Sequence, residues 1–298
     1  MYKTLKDIQS LLDQNKPRKK LVLAVSQDAH SLEAVNKAFH AGLIEPILVG
    51  SKAETLEIAE KMELDFAGAV FVDEIIPEKA VETAVKMVNQ KSADFLMKGN
   101  IPTPILLKAV LNREWGLRAG NLLSHFALFE TNYYHKLIAV TDVAMNIAPN
   151  LHDKTGIINN SVGFLNKLGI KMPKVAVVAA IETVNENMQA TIDAATLSIM
   201  NKRGQIKNCI IDGPLAFDNA ISIESANHKK ICSEVAGDAD LMLMPNIETG
   251  NVLYKSLVWF ANAKVASIIL GASSPIVLTS RSDSEESKFD SILLATVG

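Results

Sequence analysis

The chain has 298 residues, of which 48% are hydrophobic and 21% are charged. That composition is typical of a globular protein, and at roughly 150 residues for each domain the length predicts two domains. The net charge of −3 is too small to indicate a surface that binds nucleic acid or a membrane, so we expect neither as a partner.

The first third of the chain alternates short apolar runs with amphipathic segments. The apolar runs are continuous and of strand length: LVLAVSQDA, PILVG, GAVFVDE and ADFLMKG. The segments between and after them have helical spacing: SLEAVNKAFHAG, ETLEIAEKMEL, PEKAVETAVKMVNQK and TPILLKAVLNRE. Pro77 opens the third of these at a favourable first helical position. Continuous apolar strands separated by amphipathic helices indicate a parallel sheet covered on both faces.

The same alternation starts again after TNYYHK at residues 131–136. Strand-like runs are LIAVTD, KVAVVAA, NCIIDGP, LMLMPN and VASIILG, and helical patterns are TGIINNSVGFLNKLG, ENMQATIDAATLSIMNKRG and GNVLYKSLVWFANA. A last run, PIVLTSR, and a terminal helix return to complete the first unit. We therefore predict an α/β protein with two doubly wound domains of parallel or mixed sheet and a cleft between them. Residues 1–135 with 275–298 form the first domain, and residues 136–274 form the second.

Targeting signals and cysteines indicate the compartment. The first 20 residues are polar and charged without an apolar h-region, so we expect no secretory signal. No run of about 18 uncharged apolar residues occurs, so we expect no transmembrane helix. Cys209 and Cys232 lack CxxC spacing, and we expect both to be buried, inert thiols in a reducing compartment. We predict a cytoplasmic protein.

The ends of the predicted strands are candidate ligand positions, because open parallel sheets bind ligands beyond the carboxyl ends of their strands. The residues at those positions are Ser26, Gln27, Asp28, Lys98, Gly99, Asn100, Asp142, Glu182, Asp212, Gly213, Pro214, Pro245, Asn246, Ser280 and Arg281. They include many hydroxyls and amides and two cations. Such a set suits a phosphorylated ligand.

Several catalytic motifs do not occur in the sequence. There is no GxGxxG after a strand and no GxxxxGK[ST], so nothing supports the usual dinucleotide or nucleotide phosphate loops. The six histidines show no HExxH and no paired spacing, so we expect no metal site. The lack of GxSxG disfavours an α/β-hydrolase.

Arg281 is the one arginine of five that directly follows a predicted strand. Its planar guanidinium suits phosphate or carboxylate in a two-pronged contact. The hydroxyl of Ser280 beside it could orient a nucleophile or stabilise developing charge. The alternative for the serines and acidic residues that follow is a helix start, with Ser282 or Ser284 as N-cap and two glutamates favoured by the helix dipole.

Three further segments allow both a functional and a structural interpretation. DGPLAFD carries a Gly-Pro turn and places Asp218 in a loop, which a generic turn also explains. MPNIETGNVLYK predicts a helix that begins near residues 250–251, where open N–H groups could bind an anion or the asparagine could simply cap the helix. MKGNIPTPILLKA places Lys98 at a strand end, with Thr103 and Lys108 around the next helix.

The quoted segments, read together, resemble the phosphate acetyltransferase/butyryltransferase family, and its butyryltransferase branch most. The likeness is carried by LMKGNIPTPILLKAVLNRE (96–114), LLSHFALFE (122–130), TDVAMNIAP (141–149), IDGPLAFDNAIS (211–222), ADLMLMPNIETGNVLYKSL (239–257) and PIVLTSRSDSEESK (275–288). These segments cover most of the chain from about residue 92 onward. The first 90 residues fit the fold but carry little of the signature.

The resemblance implies a fold related to the isocitrate and isopropylmalate dehydrogenases. It implies that butyryl-CoA and phosphate react reversibly to give butyryl phosphate and CoA. Acyl-CoA and phosphate are then the partners, with coenzyme A as a substrate and without a tightly bound cofactor, a metal or a nicotinamide. Because thiol and phosphate are both external nucleophiles, the acyl group passes directly in a ternary complex without a covalent enzyme intermediate. The family also implies a homo-oligomer.

The resemblance assigns roles to particular residues. Arg281 is the clamp for phosphate and the transition state, and Ser280 contacts the CoA sulfur or the reacting carbonyl. The phosphate side is lined by Lys98, Asn100, Thr103, Lys108 and Arg118, and further substrate contacts come from Asn246 and Asn251.

The base for the CoA thiol is less clearly assigned. In the acetyl enzymes an aspartate about two turns beyond the Ser-Arg pair is the proposed base. Here that position falls near Glu286 or Ser287, and Asp283 is closer to the arginine. We take Asp283 as the catalytic acid/base and keep Glu286 as the alternative. A thiol with a pKa near 8.5 is partly ionised at neutral pH, so a weak base or none would also suffice.

Other functions are compatible with the same pattern. A phosphate acetyltransferase would differ only in the length of the acyl group. A metal- and NAD-dependent dehydrogenase of the same fold would need clustered acids, for which Asp142, Asp212 and Asp218 are the candidates. A sensor would bind CoA or an acyl phosphate without turning it over.

Overall fold

The computed structural model describes residues 2–12, 17–120, 122–279 and 283–298. The chain divides into two compact units. The first unit consists of Ile8–Asn121 and Ala266–Gly298, and the second of Met1–Asp7 and Leu122–Val265. The units therefore change at residues 7/8, 121/122 and 265/266, whereas the sequence predicted changes at 135/136 and 274/275 only. The change at 121/122 comes earlier than predicted because a strand at residues 124–130 pairs within the second unit.

Strands and helices alternate through most of the chain. Strands are β1 (Lys19–Ala24), β2 (Ile44–Gly50), β3 (Val70–Asp73), β4 (Phe95–Lys98), β5 (Ser124–Glu130), β6 (Ile138–Thr141), β7 (Lys174–Val178), β8 (Ile210–Leu215), β9 (Leu241–Leu243), β10 (Lys264–Leu270) and β11 (Ile276–Val277). Helices are α1 (Leu5–Gln9), α2 (Ala29–His40), α3 (Lys52–Lys61), α4 (Pro77–Asn89), α5 (Thr103–Val110), α6 (Leu151–Lys167), α7 (Gln189–Lys202), α8 (Phe217–Ile221), α9 (Ile223–His228), α10 (Ile247–Trp259) and α11 (Glu285–Val297). In the described part of the chain, none of these helices has both the length and the apolar character needed to cross a bilayer.

The first unit is organised around β1, which pairs in parallel with β2 on one side and β4 on the other. The strand order is β3-β2-β1-β4-β11-β10, and the pairs are parallel except for β10 with β11. Residues Leu21 to Ala24 are fully buried, as the continuous apolar run predicted. Pro77 is the first residue of α4, and one face of that helix is buried through Ala80, Val81, Ala84, Val85 and Val88. The predicted α/β fold is confirmed.

The second unit has the strand order β5-β6-β9-β7-β8. β6, β9, β7 and β8 are parallel, whereas β5 runs antiparallel to β6, with Ala127 opposite Val140. Strand β5, whose sequence is SHFALFE, was not among the predicted strands. The sheet is therefore mixed rather than purely parallel. Its buried core includes Phe129, Val140 and Met242.

Two predicted element boundaries in the second unit were wrong. Helix α10 begins at Ile247 rather than near residues 250–251, because the side chain of Asn246 accepts a hydrogen bond from the Thr249 backbone and caps the helix there. Gly250 lies inside the helix, where a Cβ atom would come 2.3 Å from the Asp142 carbonyl oxygen. Asp218, predicted in a loop, lies in the short helix α8.

The two cysteines differ in their surroundings, and both are free thiols. Cys209 is buried, and burial raises the pKa of its thiol to about 11. Cys232 is exposed, so the prediction that it is buried was wrong. It lies in an irregular segment between α9 and β9, which gives its side chain no apolar face to pack against.

Candidate active site

A cavity of about 440 Å³ lies in the first unit at the carboxyl ends of β1 and β4. Its lining residues are Gln27, Asp28, Ala29, His30, Ser31, Lys98, Gly99, Asn100, Thr279 and Lys288. Lys98 ends β4, Gly99 and Asn100 follow it, and residues 27–31 lead from the loop after β1 into α2. This is where the fold rule for parallel sheets predicts a ligand. Lys98 and Asn100 are the predicted substrate-binding residues among them.

Lys98 supplies a positive charge to the wall of this cavity. It is the last residue of β4, a strand that is hydrogen-bonded to β1 on one side and β11 on the other. Only 8% of the residue is exposed, and its Nζ donates to the carbonyl oxygens of Gly99 and Ile101, each at 3.1 Å. Lysine is rarely buried to this extent. A rigid scaffold therefore holds this ammonium group at the cavity.

The turn after β4 is packed tightly against the end of β1. The Gly99 and Asn100 backbone N–H groups donate to the carbonyl oxygens of Ala24 and Val25, each at 2.9 Å. A Cβ atom on Gly99 would lie only 2.1 Å from the Val25 carbonyl oxygen, so only glycine fits there. Val25 itself has a φ of 59°, an uncommon conformation for a β-branched residue. These contacts fix the position of Asn100, whose side chain is exposed.

The amino end of α2 forms another part of the wall. Asp28 is the N-cap residue, but its carboxylate makes no capping hydrogen bond to the helix backbone and accepts instead from the Ser31 hydroxyl at 2.8 Å. The positive end of the helix dipole lies here and favours an anion. Gln27 precedes the helix, and its buried Oε1 has no hydrogen-bond partner among the described residues.

The segment after β11 and the first turn of α11 complete the described wall with Thr279 and Lys288, both buried. Ser280 and Arg281, the predicted catalytic pair, follow Thr279 in sequence and lie outside the described residues, as does Ser282. Ser284 is the N-cap of α11 and accepts from the Ser287 backbone at 3.1 Å, as one of the two capping alternatives predicted.

Asp283, the predicted acid/base, is half-buried, and its backbone carbonyl accepts from Lys288 Nζ at 2.6 Å. Glu286, the alternative, is exposed in the first turn of α11. Burial lowers the pKa of Lys288, and the charges of Asp283 and Asp28 act in the opposite direction. Lys288 was not among the predicted site residues, although it lines the cavity. Its spacing to Ser291 and Ile292, both buried, could have placed it on the inner face of the helix.

Three predicted phosphate contacts of the first unit lie outside the described lining of the cavity. Thr103 is the first residue of α5 and is half-buried, and Lys108 is exposed in the last turn of the same helix. Arg118 is exposed, and its backbone forms an isolated bridge with Ala272. The geometry therefore brings Lys98 and Asn100 together at the cavity but not these three side chains.

Comparison with known proteins gives a consistent result. A family model for phosphate acetyl/butaryl transferase matches residues 4–82 and 71–296. The phosphate butyryltransferase of Clostridium acetobutylicum is 48% identical over 95% of this chain and 94% of its own length. The phosphate acetyltransferase of Thermotoga maritima is 45% identical over 94% of this chain and 95% of its own.

The chain belongs to the phosphate acetyl/butaryl transferase family. A solved relative, a branched-chain phosphotransacylase from Enterococcus faecalis V583, superposes with a TM-score of 0.84 at 34% identity and covers 94% of this chain and 98% of its own. The resemblance inferred from the sequence is thereby confirmed, and the protein is an enzyme of the acyltransferase class.

The two asparagines predicted to contact the substrate from the second unit make hydrogen bonds within that unit. Asn246 caps α10, and the Asn251 amide donates to the Val143 carbonyl oxygen at 3.4 Å. The predicted alternative that Asn251 caps the helix was wrong, because the helix starts four residues earlier. The predicted substrate contacts of both asparagines stay predictions.

The three aspartates that were candidate metal ligands accept separate hydrogen bonds within the second unit. The Asp142 carboxylate accepts hydrogen bonds from neighbouring backbone N–H groups, and Asp218 accepts from Ser225 Oγ at 2.5 Å. Asp212 accepts from the Gly213 backbone at 2.9 Å. Among the described residues, no group of three or more His, Cys, Asp or Glu side chains could hold a metal ion.

Proposed function

We propose that the enzyme transfers a short-chain acyl group between coenzyme A and inorganic phosphate, so that butyryl-CoA and phosphate give butyryl phosphate and CoA. Membership of the phosphate acetyl/butaryl transferase family carries the proposal, since the family model matches nearly the whole chain. CoA is then a substrate, and neither a tightly bound cofactor nor a metal takes part. The high identity to a relative named phosphate butyryltransferase favours butyryl as the acyl group.

The reaction explains why a cavity with buried positive charge is needed. A phosphate oxygen attacks the thioester carbonyl carbon and forms a C–O bond. The tetrahedral oxyanion then collapses, the C–S bond breaks, and the CoA sulfur takes up a proton. Phosphate and the tetrahedral oxyanion are both negatively charged, and fixed cations stabilise such charge without reorganising during the reaction. Lys98 at the first unit's cavity is suited to this role.

The predicted roles of Ser280 and Arg281 remain part of the proposal. Arg281 binds phosphate and the developing charge, and Ser280 contacts the sulfur or the carbonyl. In the direction of CoA acylation Asp283 accepts the thiol proton, with Glu286 as the alternative. Support comes from Thr279, which directly precedes the pair and lines the same cavity as Lys98.

Further parts of the proposal rest on the family alone. Additional substrate contacts are assigned to Asn100, Thr103, Lys108, Arg118, Asn246 and Asn251. We propose that the acyl group passes directly between substrates in a ternary complex. We also propose a cytoplasmic homo-oligomer that has no nucleic acid or membrane as partner.

Thiol release tests the proposed reaction. The full chain is incubated with butyryl-CoA, with and without phosphate, and free CoA is followed with a chromogenic disulfide. Because Cys232 is exposed, the Cys232→Ser variant serves as a matched control for the enzyme's own thiol. We expect release only with phosphate, together with an acyl phosphate that hydroxylamine traps. Release without phosphate would indicate a thioesterase, and binding of butyryl-CoA without release would indicate a sensor. Either result contradicts the proposal.

Acyl-chain preference distinguishes transfer of butyryl groups from transfer of acetyl groups. The comparison matters because one relative, 45% identical, is named phosphate acetyltransferase. Each methylene buried in an apolar pocket contributes about 0.8 kcal/mol, so two of them are expected to favour butyryl-CoA about tenfold in kcat/KM. A rate series from acetyl- to hexanoyl-CoA measures this preference. A higher kcat/KM for acetyl-CoA would assign the enzyme as a phosphate acetyltransferase.

A further inference from the structure

The loop that joins β1 to α2 has an unusual backbone and leads into the cavity wall. Val25, the first residue after β1, has a φ of 59°, which is an outlier for a β-branched side chain. Residues 27–31, two positions further on, line the cavity. Such a conformation persists only where surrounding contacts fix it, and conformations of this kind are frequent at ligand sites. The contacts that fix this loop therefore bear on the cavity.

A hydrogen bond between two buried hydroxyl groups fixes the loop at Ser26. Its Oγ lies 2.8 Å from Oγ1 of Thr55, and either atom can be the donor. Only 1% of Ser26 is exposed, and Thr55, on the inner face of α3, is fully buried. The Ser26 backbone N–H donates to the Val49 carbonyl oxygen at 3.0 Å, and its own carbonyl accepts from the Asp28 N–H at 2.8 Å. The hydroxyl pair thus ties the loop to α3 directly before the residues that line the cavity.

The packing around Gly50 shows how closely the loop lies against the end of β2. A Cβ atom on Gly50 would come 2.8 Å from the Ser26 backbone nitrogen and 2.3 Å from Oε1 of Gln27. The loop therefore contacts the ends of two strands as well as α3. Loss of one hydroxyl leaves these other contacts in place, so it should shift the loop without unfolding the unit.

A contribution to stability alone does not explain a polar pair at this depth. Two buried hydroxyls that bond to each other add little net free energy, because an apolar pair of the same shape can be nearly as stable. A hydrogen bond differs from an apolar contact in having a defined length and direction. The pair therefore sets the position of Ser26 relative to α3 more strictly than apolar side chains would.

We propose that Thr55 is a positioning residue of the enzyme, which through its hydrogen bond to Ser26 holds residues 27–31 in the place where they meet the bound phosphate. The inference rests on the proposed function, which assigns phosphate to this cavity. Thr55 itself lies outside the described lining. Its role depends on a hydrogen bond between neutral groups and on no charge in the cavity. Ser26 was a strand-end candidate in the sequence, and this bond gives it a role.

Binding of inorganic phosphate to the full chain, measured by calorimetry, tests the inference with two variants. Thr55→Val keeps the shape of the side chain and loses the hydroxyl, whereas Thr55→Ser keeps the hydroxyl and loses a buried methyl group. We expect Thr55→Val to raise Kd and KM for phosphate about tenfold, with KM for butyryl-CoA changed less than about twofold. Thr55→Ser should stay within about twofold of the wild type in all three constants.

A purely structural role of Thr55 predicts a different pattern. Both variants would then keep the wild-type Kd for phosphate and lower the midpoint of urea unfolding. Thr55→Ser would be the less stable of the two if packing alone mattered, because it leaves a cavity in the core. The order of the two variants in phosphate binding therefore separates positioning from packing.

Two further variants complete the test. Ser26→Ala should raise the Kd for phosphate as Thr55→Val does, and the double variant should raise it no further, because both changes remove the same bond. Thr296→Val is the matched control and should keep the wild-type Kd. Thr296 is a buried threonine of the same unit, but its hydroxyl donates to the Leu293 carbonyl oxygen at 2.6 Å within α11, outside the cavity lining.

Three results would overturn the inference: an unchanged Kd for phosphate in Thr55→Val, an equal loss in Thr55→Ser, or additive effects in the double variant. Should Thr55→Val fail to fold, Ser26→Ala and Thr55→Ser still decide. The test also separates this inference from the proposed reaction. A protein that shows the expected order of Kd values but releases no CoA would support the role of Thr55 and contradict acyl transfer. Release of CoA with an unchanged Kd in Thr55→Val would contradict the role of Thr55 alone.

Discussion

Lys98 in the first unit and Asp142 in the second are charged residues at equivalent places, each at or next to the carboxyl end of a buried strand. The Asp142 carboxylate accepts from the backbone N–H groups of Ala144, Met145 and Asn146 at 3.0–3.1 Å, so its own turn uses its acceptor capacity. Lys98 donates to two carbonyls of its turn and lines a cavity. Position at a strand end thus identifies candidates, and the cavity indicates which of them can meet a ligand.

The largest expected effect is the loss of Lys98. The comparison predicts that Lys98→Met lowers kcat/KM for acyl transfer by about a hundredfold or more, because a fixed charge-stabilising donor is removed from the cavity. Steady-state rates with butyryl-CoA and phosphate measure this. Lys61→Met, which removes an exposed lysine that pairs with Glu57 along the same helix, is the control and should keep full activity. Near-normal turnover of Lys98→Met would remove this residue from the mechanism.

Substitution of Asp142 should lower the stability of the fold, whereas substitution of Lys98 should lower the activity. Asp142→Asn replaces a carboxylate that accepts several backbone hydrogen bonds and is expected to lower the free energy of unfolding by about 2 kcal/mol. Urea unfolding measures the change. Asp153→Asn, which weakens an exposed capping box at the start of α6, should cost about 1 kcal/mol or less. An Asp142→Asn protein of unchanged stability would contradict the structural role of this carboxylate.

The smallest effect concerns His125, a buried neighbour of Asp142. Both ring nitrogens have no hydrogen-bond partner among the described residues, and burial lowers the pKa of His125 to about 4, against the opposing charge of Asp142. Between that value and an unfolded pKa near 6.5, the unfolded chain binds more protons, so stability falls as pH decreases through this range. We expect a loss of roughly 1 kcal/mol between pH 7.5 and 5.5 from this group.

Unfolding curves of wild type and His125→Gln across that pH range test the assignment. The variant should lose this part of the slope, because it has no group that titrates there. An equal slope in both proteins would show that other groups cause the acid sensitivity.

The fold was largely predictable because buried parallel strands have continuous apolar sequences, as β1 and β4 do. What the sequence could not indicate depends on tertiary contacts. The sequence predicted a helix start near Gly250, whereas this residue lies inside α10, where the Asp142 carbonyl leaves no room for a side chain. The antiparallel strand β5 was not predicted, because it breaks the alternation of strands and helices and is followed directly by β6.

The site was predictable only in part. Lys98 could be found because a lysine that ends an apolar run stays close to the core. Lys288 belongs to a helix whose polar and apolar residues do not separate cleanly, so its burial appears only once α11 packs against its unit. The predictions for Lys108 and Arg118 came from motif likeness alone, and neither side chain lines the cavity. Both residues follow Lys98 closely in the sequence, but neither lies at the cavity that Lys98 lines.

The central claim is that the attacking phosphate binds in the first unit's cavity, which Lys98 lines. Crystals of the full chain soaked with tungstate, a strongly scattering mimic of phosphate that should also inhibit the enzyme, test this directly. We predict an anomalous peak in this cavity, with a tungstate oxygen within about 3 Å of Lys98 Nζ. A tungstate peak at the start of α10 with none in this cavity would contradict the account.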